Sequence, residues 1–416
     1  MGRRITLFLS ALLLAPVTGW AEAVPGANLP GLINWLEQDS AELAAVRYEA
    51  AGAAQQAQAA GALPDPSLRI EWAGVNRSAV PFDPAGADAT KYTVLQPVPG
   101  WGKRAAQRQV AQAGAALAEA QQRVVGAELR ARLRLEFARY YQSHRALALN
   151  EALSAFTASA ARLAQTRYET GAASQQELVR AQLEQAAQQS ERLQQEGDFA
   201  QMQARLNALL NRPAQAALEA PQALPAVPAA IRLDEAALGL RLRASSPQLA
   251  GQAAQTELAR GNAELAQRNL NPDFILGIAP VQRGSRFNSW DAMLEFTLPL
   301  QRASHHAHQH EADEMLAASR ARQQAAETRL LGELREHLAA LEAARARQQL
   351  TRERVLPLAE LAFNGALAGN RSGAVDFTTL LDARRQLQKA RLDELDAEVA
   401  QQLHLAEIER LIGGEP

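Results

Sequence analysis

The sequence contains no cysteine, and this absence excludes several kinds of protein. Without thiols we expect no disulfides, no cysteine nucleophile and no lipid attached to an N-terminal cysteine. The GxSxG pattern of many hydrolases and the P-loop of nucleotide-binding enzymes are also missing. The sequence therefore predicts a protein that has no catalytic residues, requires no cofactor and is not an enzyme.

The chain also lacks a strong excess of one charge. Its 43 basic and 45 acidic residues are mixed along the sequence, and the formal net charge is -2. No basic block is present to follow a phosphate backbone. Nucleic acid is therefore not expected as a partner.

Long apolar segments are missing after the N-terminus. Residues 5–17 form a mostly apolar run between Arg3-Arg4 and Ala21-Glu22-Ala23, which is the layout of a secretory signal peptide cleaved after Ala23. This run is shorter than the ~20 residues of a transmembrane helix, and no later run approaches that length. We expect an exported protein with a signal peptide over residues 1–23 and no transmembrane helix.

Long stretches rich in Ala, Gln, Glu, Arg and Leu predict a mostly helical chain. Residues 102–169 and 302–369 predict two long helices, and the first would be about 100 Å long. Shorter helices are predicted at roughly 31–60, 174–210, 233–269 and 376–412. Helices of such length do not fit one compact globule.

Four short segments between the helices alternate in polarity and are rich in β-branched or aromatic residues. They predict two strand pairs, at about 67–75 with 91–98 and about 273–281 with 290–298. Connections rich in Pro, Gly, Asn and Asp, over 76–89 and 282–289, indicate exposed turns. Trp101, just after the second strand, is suited to a lipid interface.

The same order of elements occurs twice. Pro66 and Pro272 precede strands, and Gly171 and Gly373 follow long helices, with separations close to 200 residues. The interpretation is two tandem repeats of helix–strand–strand–long helix–turn–helix, over residues 24–211 and 233–416. A proline-rich linker at 212–232 separates them.

Four strands cannot close a barrel, although a sheet in lipid must close because each unpaired edge group would cost several kcal/mol. The predicted strand lengths are near the 9–11 residues of a tilted transmembrane strand. If they cross a membrane, several chains must share one barrel, and three chains would give 12 strands. A soluble sheet packed on helices is the alternative.

Three motifs, "LPDPSLRIEWAG", "YTVLQPVPGWGKRAAQ" and "RYETGAASQQELVRAQ", occur within this duplicated plan. Together they resemble the TolC-type outer-membrane efflux factors over essentially the whole mature chain. The resemblance implies a homotrimer that forms a 12-stranded barrel in the outer membrane, continuous with an α-helical tunnel in the periplasm. Such a protein is a passive exit duct, surrounded by outer-membrane lipid and joined through a periplasmic adaptor (membrane fusion) protein to an inner-membrane pump, here expected to be of the RND type.

Two points stay open at this level. The short chain without an anchoring cysteine is similar to the CzcC-like heavy-metal branch of the family, but TolC itself is similarly unanchored, so metal ions and drugs are both candidate substrates. The alternative function is that of a periplasmic coiled-coil adaptor or scaffold that never enters a membrane.

The turns that follow the two long helices carry the strongest local signals. Gly171 and Gly373 are suited to the left-handed conformation that ends a helix, and Ser174 with Glu177 predicts a capping box for the next helix. Asp376 is the corresponding N-cap in the second repeat. The resemblance makes these hairpins the periplasmic tips that close the duct and contact the adaptor, with Tyr168, Gly171, Ser174, Gly373 and Asp376 as contact residues.

Asp382 lies about a turn and a half after the second tip, where similar proteins place a carboxylate near the closed aperture. In a trimer it would form a ring of three charges that attracts cations and acts as a gate. The alternative is a solvated carboxylate beside Arg384 and Arg385.

Four of the seven histidines lie together in "ASHHAHQHEADE", at positions 305, 306, 308 and 310. On a helix His306 and His310 share one face, while His305 and His308 share another. Imidazoles at this spacing suit zinc, copper or nickel. A solvated surface patch is the alternative, and in a trimer the outcome depends on whether the stretch faces the lumen.

Overall fold

The computed structural model describes residues 24–75, 87–229 and 233–416. The predicted signal peptide lies outside the described residues, as does most of the predicted connection over 76–89. The helices are Leu29–Asp39 (α1), Ala41–Ala59 (α2), Lys103–Glu169 (α3), Gln175–Leu209 (α4), Glu235–Ser245 (α5), Pro247–Arg268 (α6), Arg302–Leu350 (α7), Leu356–Ser372 (α8) and Phe377–Ile412 (α9). The strands are Ser67–Ala73 (β1), Ala89–Val98 (β2), Phe274–Arg283 (β3) and Arg286–Phe296 (β4).

The predicted second long helix, 302–369, is interrupted. A single π turn, Thr351–Val355, separates α7 from α8. Pro357, two residues later, has no N–H group and its ring would clash with the carbonyl four residues earlier in a regular helix. The wider π turn, in which Leu356 N donates to Thr351 O, accommodates this proline. α3, by contrast, is continuous over 67 residues.

The two largest apolar clusters of the core lie one in each half of the chain. The first joins α1, α2, α3 and the end of α4, and its largest fully buried members include Leu133, Phe137 and Tyr140. The second joins α5, α7 and the end of α9 through Leu334, Leu338 and Leu341. Each of these three α7 residues lies 201 positions after its α3 counterpart, so the two halves use equivalent positions for their cores.

The predicted linker runs across the helices and is held to them by hydrogen bonds. Residues 212–229, its described part, contain no helix or strand, but their backbone is bound at several points. Glu219 N donates to Pro25 O at 3.0 Å, and the Tyr140 hydroxyl donates to Glu219 O at 3.2 Å. Gln402 Nε2 donates to Pro225 O at 2.6 Å. The segment therefore ties the N-terminal residues, α3 and α9 together.

The strands form one antiparallel sheet in the order β1-β2-β3-β4, so the two predicted pairs meet through β2 and β3. β3 and β4 extend beyond their predicted ranges, and the connection predicted at 282–289 is mostly strand. Only Gly284 and Ser285 lie between them, because Arg283 pairs with Arg286 and Gln282 with Phe287. β1 and β4 are the edges, each paired with one strand in the described chain.

Candidate functional sites: the sheet and the hairpin tips

One face of the sheet is apolar and open to solvent in the single chain. The register places Leu68, Val94 and Ile278 side by side in one row, and Leu276 beside Leu294 in the next. These side chains are between 44% and 64% exposed although nothing polar accompanies them in their rows except Gln96. A continuous apolar surface across four strands is unusual for a face in water.

The opposite face of the sheet carries the charges. Away from the β3–β4 turn, every charged strand residue lies on this face: Arg69, Glu71, Lys91, Asp291 and Glu295. Lys91 Nζ lies 2.9 Å from Asp291 Oδ2. The alternation of apolar and charged residues along each strand therefore divides the sheet into two chemically different faces.

Aromatic residues lie at both ends of the apolar face. Near the helices the Phe274 ring lies 5.2 Å from that of Trp101 and 5.5 Å from that of Phe296, measured between centroids. At the far end Tyr92 lies 6.3 Å from Phe287. About 26 Å of strand separates the two ends, at ~3.3 Å per residue from Phe274 to Gln282.

Residues of both halves hold the junction between β2 and α3 in place. Asp273 Oδ1 accepts hydrogen bonds from Gly100 N at 2.7 Å and from Lys103 Nζ at 2.8 Å. Asn271 Nδ2 donates to Trp101 O at 2.7 Å. The chain can turn from strand to helix here because Asp273 and Asn271, from the second half of the chain, form hydrogen bonds with the polar groups of the turn.

The first hairpin tip, between α3 and α4, closes with a Schellman motif. Gly171 has φ 74°, its N–H donates to Tyr168 O at 3.0 Å, and Ala172 N donates to Arg167 O at 2.7 Å. Ser174 Oγ accepts from Glu177 N at 3.2 Å and starts α4. The Glu177 carboxylate lies 3.4 Å from Arg167 Nη1, so it ties the two helices across the tip.

The second tip, between α8 and α9, repeats this geometry 202 residues later. Gly373 has φ 78°, its N–H donates to Asn370 O at 3.2 Å, and Ala374 N donates to Gly369 O at 2.8 Å. Asp376 Oδ1 accepts from Thr379 N at 3.1 Å. Hydrogen bonds from the Thr379 hydroxyl and amide lower the pKa of Asp376 below its usual range, so this cap is ionised at neutral pH. All five predicted contact residues, Tyr168 included, are exposed.

The two hairpins are joined by a buried ion pair that the sequence did not reveal. Glu184 of α4 binds Arg384 and Arg385 of α9 through its two carboxylate oxygens. The side chains of Glu184 and Arg384 are 5% and 4% exposed, whereas Arg385 is 59% exposed. Burial alone would raise the pKa of Glu184, but the hydrogen bonds and charges of both arginines outweigh it and lower that pKa.

Small apolar residues let the hairpins approach closely around this pair. Phe377 and Leu381 of α9 pack on alanines of α3 and α4: Ala160, Ala161, Ala164 and Ala181. The rings of Phe156 and Phe363 meet edge to face, with centroids 5.2 Å apart. The predicted gate residue, Asp382, lies on the exposed side of α9, 3.8 Å from Arg385 Nη1. It is therefore solvated in one chain.

The histidine stretch forms the first turns of α7. His306, His308 and His310 are exposed, and His308 Nδ1 lies 3.3 Å from Glu311 Oε2. His305 and His308 line a cleft with Lys103 and Asp273, below the sheet. Residues 24–75, 87–229 and 233–416 contain no group of three or more His, Cys, Asp or Glu arranged to hold a metal ion.

Comparison with known proteins accounts for this combination of a sheet and long helical hairpins. Residues 238–414 match the family model described as outer membrane efflux protein. The matched residues are somewhat less than half of the chain, and over this part the chain is similar to that family. The predicted resemblance is thereby confirmed. No curated protein sequence matches the chain.

Solved channel structures share the fold of the whole chain. The Campylobacter jejuni CmeC outer membrane channel superposes with a TM-score of 0.80 at 12% identity, covering 99% of this chain and 94% of CmeC. VceC from Vibrio cholerae superposes with a TM-score of 0.78 at 18% identity, covering 93% of this chain and 96% of VceC. CusC superposes with a TM-score of 0.79 at 18% identity, covering 97% of this chain and 96% of CusC. The prediction of a non-enzymatic protein agrees with this family of channels.

None of the helices in the described parts of the chain combines the length and apolar character needed to cross a bilayer.

The tip geometry predicts opposite effects for two glycine substitutions. Gly373→Ala should lower the free energy of unfolding by about 1–2 kcal/mol, because an L side chain is strained in the left-handed conformation. Gly365→Ala is the matched control, since Gly365 is helical and a Cβ there meets no atom within 4 Å. It should raise stability by about 0.5–1 kcal/mol. Thermal unfolding of the purified variants measures both, and equal midpoints would contradict the role of Gly373.

Proposed function

We propose that the protein is the outer-membrane exit duct of a tripartite efflux system, which passively conducts solutes out of the cell. The observation that supports this best is the two-faced sheet. Membrane-spanning strands alternate between an apolar, lipid-facing side and a polar lumen side, with aromatic girdles at both interfaces. The sheet has an uncharged apolar face bordered by aromatic residues, and its charges lie opposite.

The duct is proposed to be a homotrimer. Four strands leave the edges of β1 and β4 unpaired, and three copies would close a 12-stranded barrel with no edges. Two apolar helix stripes also face solvent in one chain. One contains Val179, Leu183 and Leu193 of α4, and the other contains Leu350 and Leu358 on either side of the π turn. Pairing one stripe with the other of a neighbouring copy is a head-to-tail contact, which generates a ring.

The long helices would then extend as a tunnel from the outer membrane into the periplasm. Their exposed tips at Gly171 and Gly373 lie 73 residues after the end of β2 and 77 residues after the end of β4. The tips are proposed to contact a periplasmic adaptor protein, which joins the duct to an inner-membrane pump of the RND type. Two tips of the same geometry in each chain would offer six similar contact points in the trimer. Outer-membrane lipid covers the apolar sheet face.

The alternative function, a periplasmic adaptor or scaffold, does not account for the exposed apolar face of this sheet. A sheet in water buries its apolar face against other elements. Here the apolar face is exposed, with Ile278 and Leu294 each 54% exposed. Fractionation tests the choice: a detergent-requiring trimer in outer membranes supports the duct, and a soluble monomer contradicts it.

Purified trimer in planar bilayers tests the proposed gate. A ring of three Asp382 carboxylates at the aperture should bind divalent or trivalent cations and block the current. Asp382→Ala should weaken this block by at least about tenfold, because three charges act together at one point. Asp393→Ala is a matched control, since it removes a charge on the same helix that is paired with Arg347 at 2.9 Å. Cation block unchanged by Asp382→Ala would overturn the gate.

We propose, more specifically, that the exported solutes are metal ions. In a trimer twelve histidines, from positions 305, 306, 308 and 310 of each chain, would surround the top of the tunnel just below the sheet. His306 and His310 are the leading candidate ligands because they are four residues apart on α7. Deleting the gene and testing sensitivity to metals, dyes and antibiotics distinguishes metal export from drug export.

A further inference from the structure

Two other histidines meet between helices far below the sheet. His337 of α7 and His404 of α9 are 67 residues apart in sequence, yet their Nδ1 atoms are 3.3 Å apart. The ring centroids are separated by 5.6 Å and the ring planes by 40°. Both rings are partly buried. The pair therefore differs from the exposed histidines at the start of α7.

The packed core fixes the positions of both backbones. Leu334 and Leu338, which flank His337, are 1% and 7% exposed. Leu405 and Ile408, beside His404, are 2% and 0% exposed. Because these residues hold α7 against α9, the two backbones that carry the rings cannot separate without disrupting the core. The pair is consequently pre-organised.

The distance between the two nitrogens suits a shared metal ion. Two nitrogen ligands at ~2.0–2.1 Å from a tetrahedral ion are separated by about 3.3–3.4 Å. Without metal, one Nδ1–H donates to the other Nδ1, which fixes the tautomers of the two rings. An ion bound by both Nδ1 atoms would displace that proton and lie to one side of the line between the nitrogens, because half of 3.3 Å is shorter than a metal–nitrogen bond of ~2.0 Å.

The local charges also suit a cation. The charges of Glu336 and Glu407 act on His404, so two carboxylates lie near enough to compensate a dication.

We propose that His337 and His404 bind one divalent transition-metal ion through their Nδ1 atoms. Water would complete the coordination, and the ion would clamp α7 to α9. The tetrahedral separation of the two nitrogens fits Zn²⁺, and the general affinity order makes Cu²⁺ the tighter-binding probe for imidazole ligands. This site does not depend on the proposed duct, and it would exist whatever solute the protein conducts.

The test uses full-length protein in which His305, His306, His308 and His310 are all changed to Gln. Calorimetric titration with Cu²⁺ should show one ion bound per chain. His337→Gln or His404→Gln should weaken binding by about tenfold or more. His144→Gln is the control, because His144 is the remaining histidine and its ring lies against Phe199 with centroids 5.9 Å apart. Absence of binding in the starting protein, or binding retained after His404→Gln, would overturn the site.

A second measurement needs no change at the pair. Carbethoxylation of the wild-type protein, followed by mass spectrometry, reports which imidazoles are free. Saturating Cu²⁺ should reduce modification of His337 and His404 by about tenfold or more, while His144 remains equally reactive with and without the metal. Unchanged modification of His337 and His404 would contradict the proposal even if the variants fold poorly.

Discussion

Glu184→Ala should lower the free energy of unfolding by about 3–5 kcal/mol, because it leaves the Arg384 guanidinium buried without its partner. Two nitrogens of Arg384, Nε and Nη1, already have no hydrogen-bond partner among the described residues. In the wild-type protein this ion pair joins α4 to α9. In the variant the second hairpin should therefore separate more easily from the first. Thermal unfolding of the purified protein measures the stability loss, and bilayer recordings should show a larger open fraction.

Two variants control this prediction. Arg385→Ala removes the exposed arginine of the same cluster and should cost less than about 1 kcal/mol, since exposed ion pairs contribute little. Glu184→Met combined with Arg384→Met removes both buried charges and should recover most of the stability. If Glu184→Ala unfolds at the wild-type temperature, the ion pair does not hold the hairpins together.

The pH dependence of stability should show the same ion pair. The pKa of Glu184 is lowered in the folded chain. Its stabilising contribution is therefore complete above the unfolded-state pKa of ~4.3 and is lost as the pH falls through the lower, folded-state pKa. The Glu184→Met, Arg384→Met double variant should lack this part of the acid-induced loss.

Ile278→Arg should prevent stable insertion into the outer membrane. Ile278 is the fifth of ten residues in β3, and it lies in the apolar row with Leu68 and Val94. An arginine on the lipid face near the bilayer midplane costs about 2–4 kcal/mol, and three copies in a trimer would multiply the loss. The amount of heat-modifiable trimer in outer-membrane fractions measures the effect.

The matched control is Ser289→Arg, on the opposite face of the sheet. Ser289 pairs with Val281 in the row that contains Lys91, so its side chain shares the charged face. This variant should insert at nearly the wild-type level, with a change confined to conductance. Equal insertion of both variants would mean that the apolar face does not meet lipid.

Signals that are local in sequence predicted the fold well. Glycine followed by a Ser or Asp N-cap fixed both tips, and the alternating segments placed the four strands. The break in the second long helix was missed although Pro357 lies inside the predicted range. The β3–β4 turn was predicted too long because Arg286, Asn288 and Ser289 look like turn residues. Arg286 and Ser289 instead pair with β3, and Asn288 lies at the bulge between them.

Contacts between distant segments could not be predicted. Glu184 is 200 residues from Arg384, and the sequence suggested only a local role for both arginines beside Asp382. The His337–His404 pair was missed for the same reason, because the two residues lie 67 positions apart on different helices. The fold brings these side chains together: α9 packs against α7, and Glu184 of α4 reaches Arg384 of α9 across the two hairpins.

The sheet also has a consequence for how the protein reaches its destination. A chain that folded alone in the periplasm would present the backbone edges of β1 and β4, together with the row of Leu68, Val94 and Ile278, to water. Exposed edges of this kind are templates for aggregation. In the proposed duct, partner chains and lipid cover these edges and this row, so assembly and insertion also protect the sheet from aggregation.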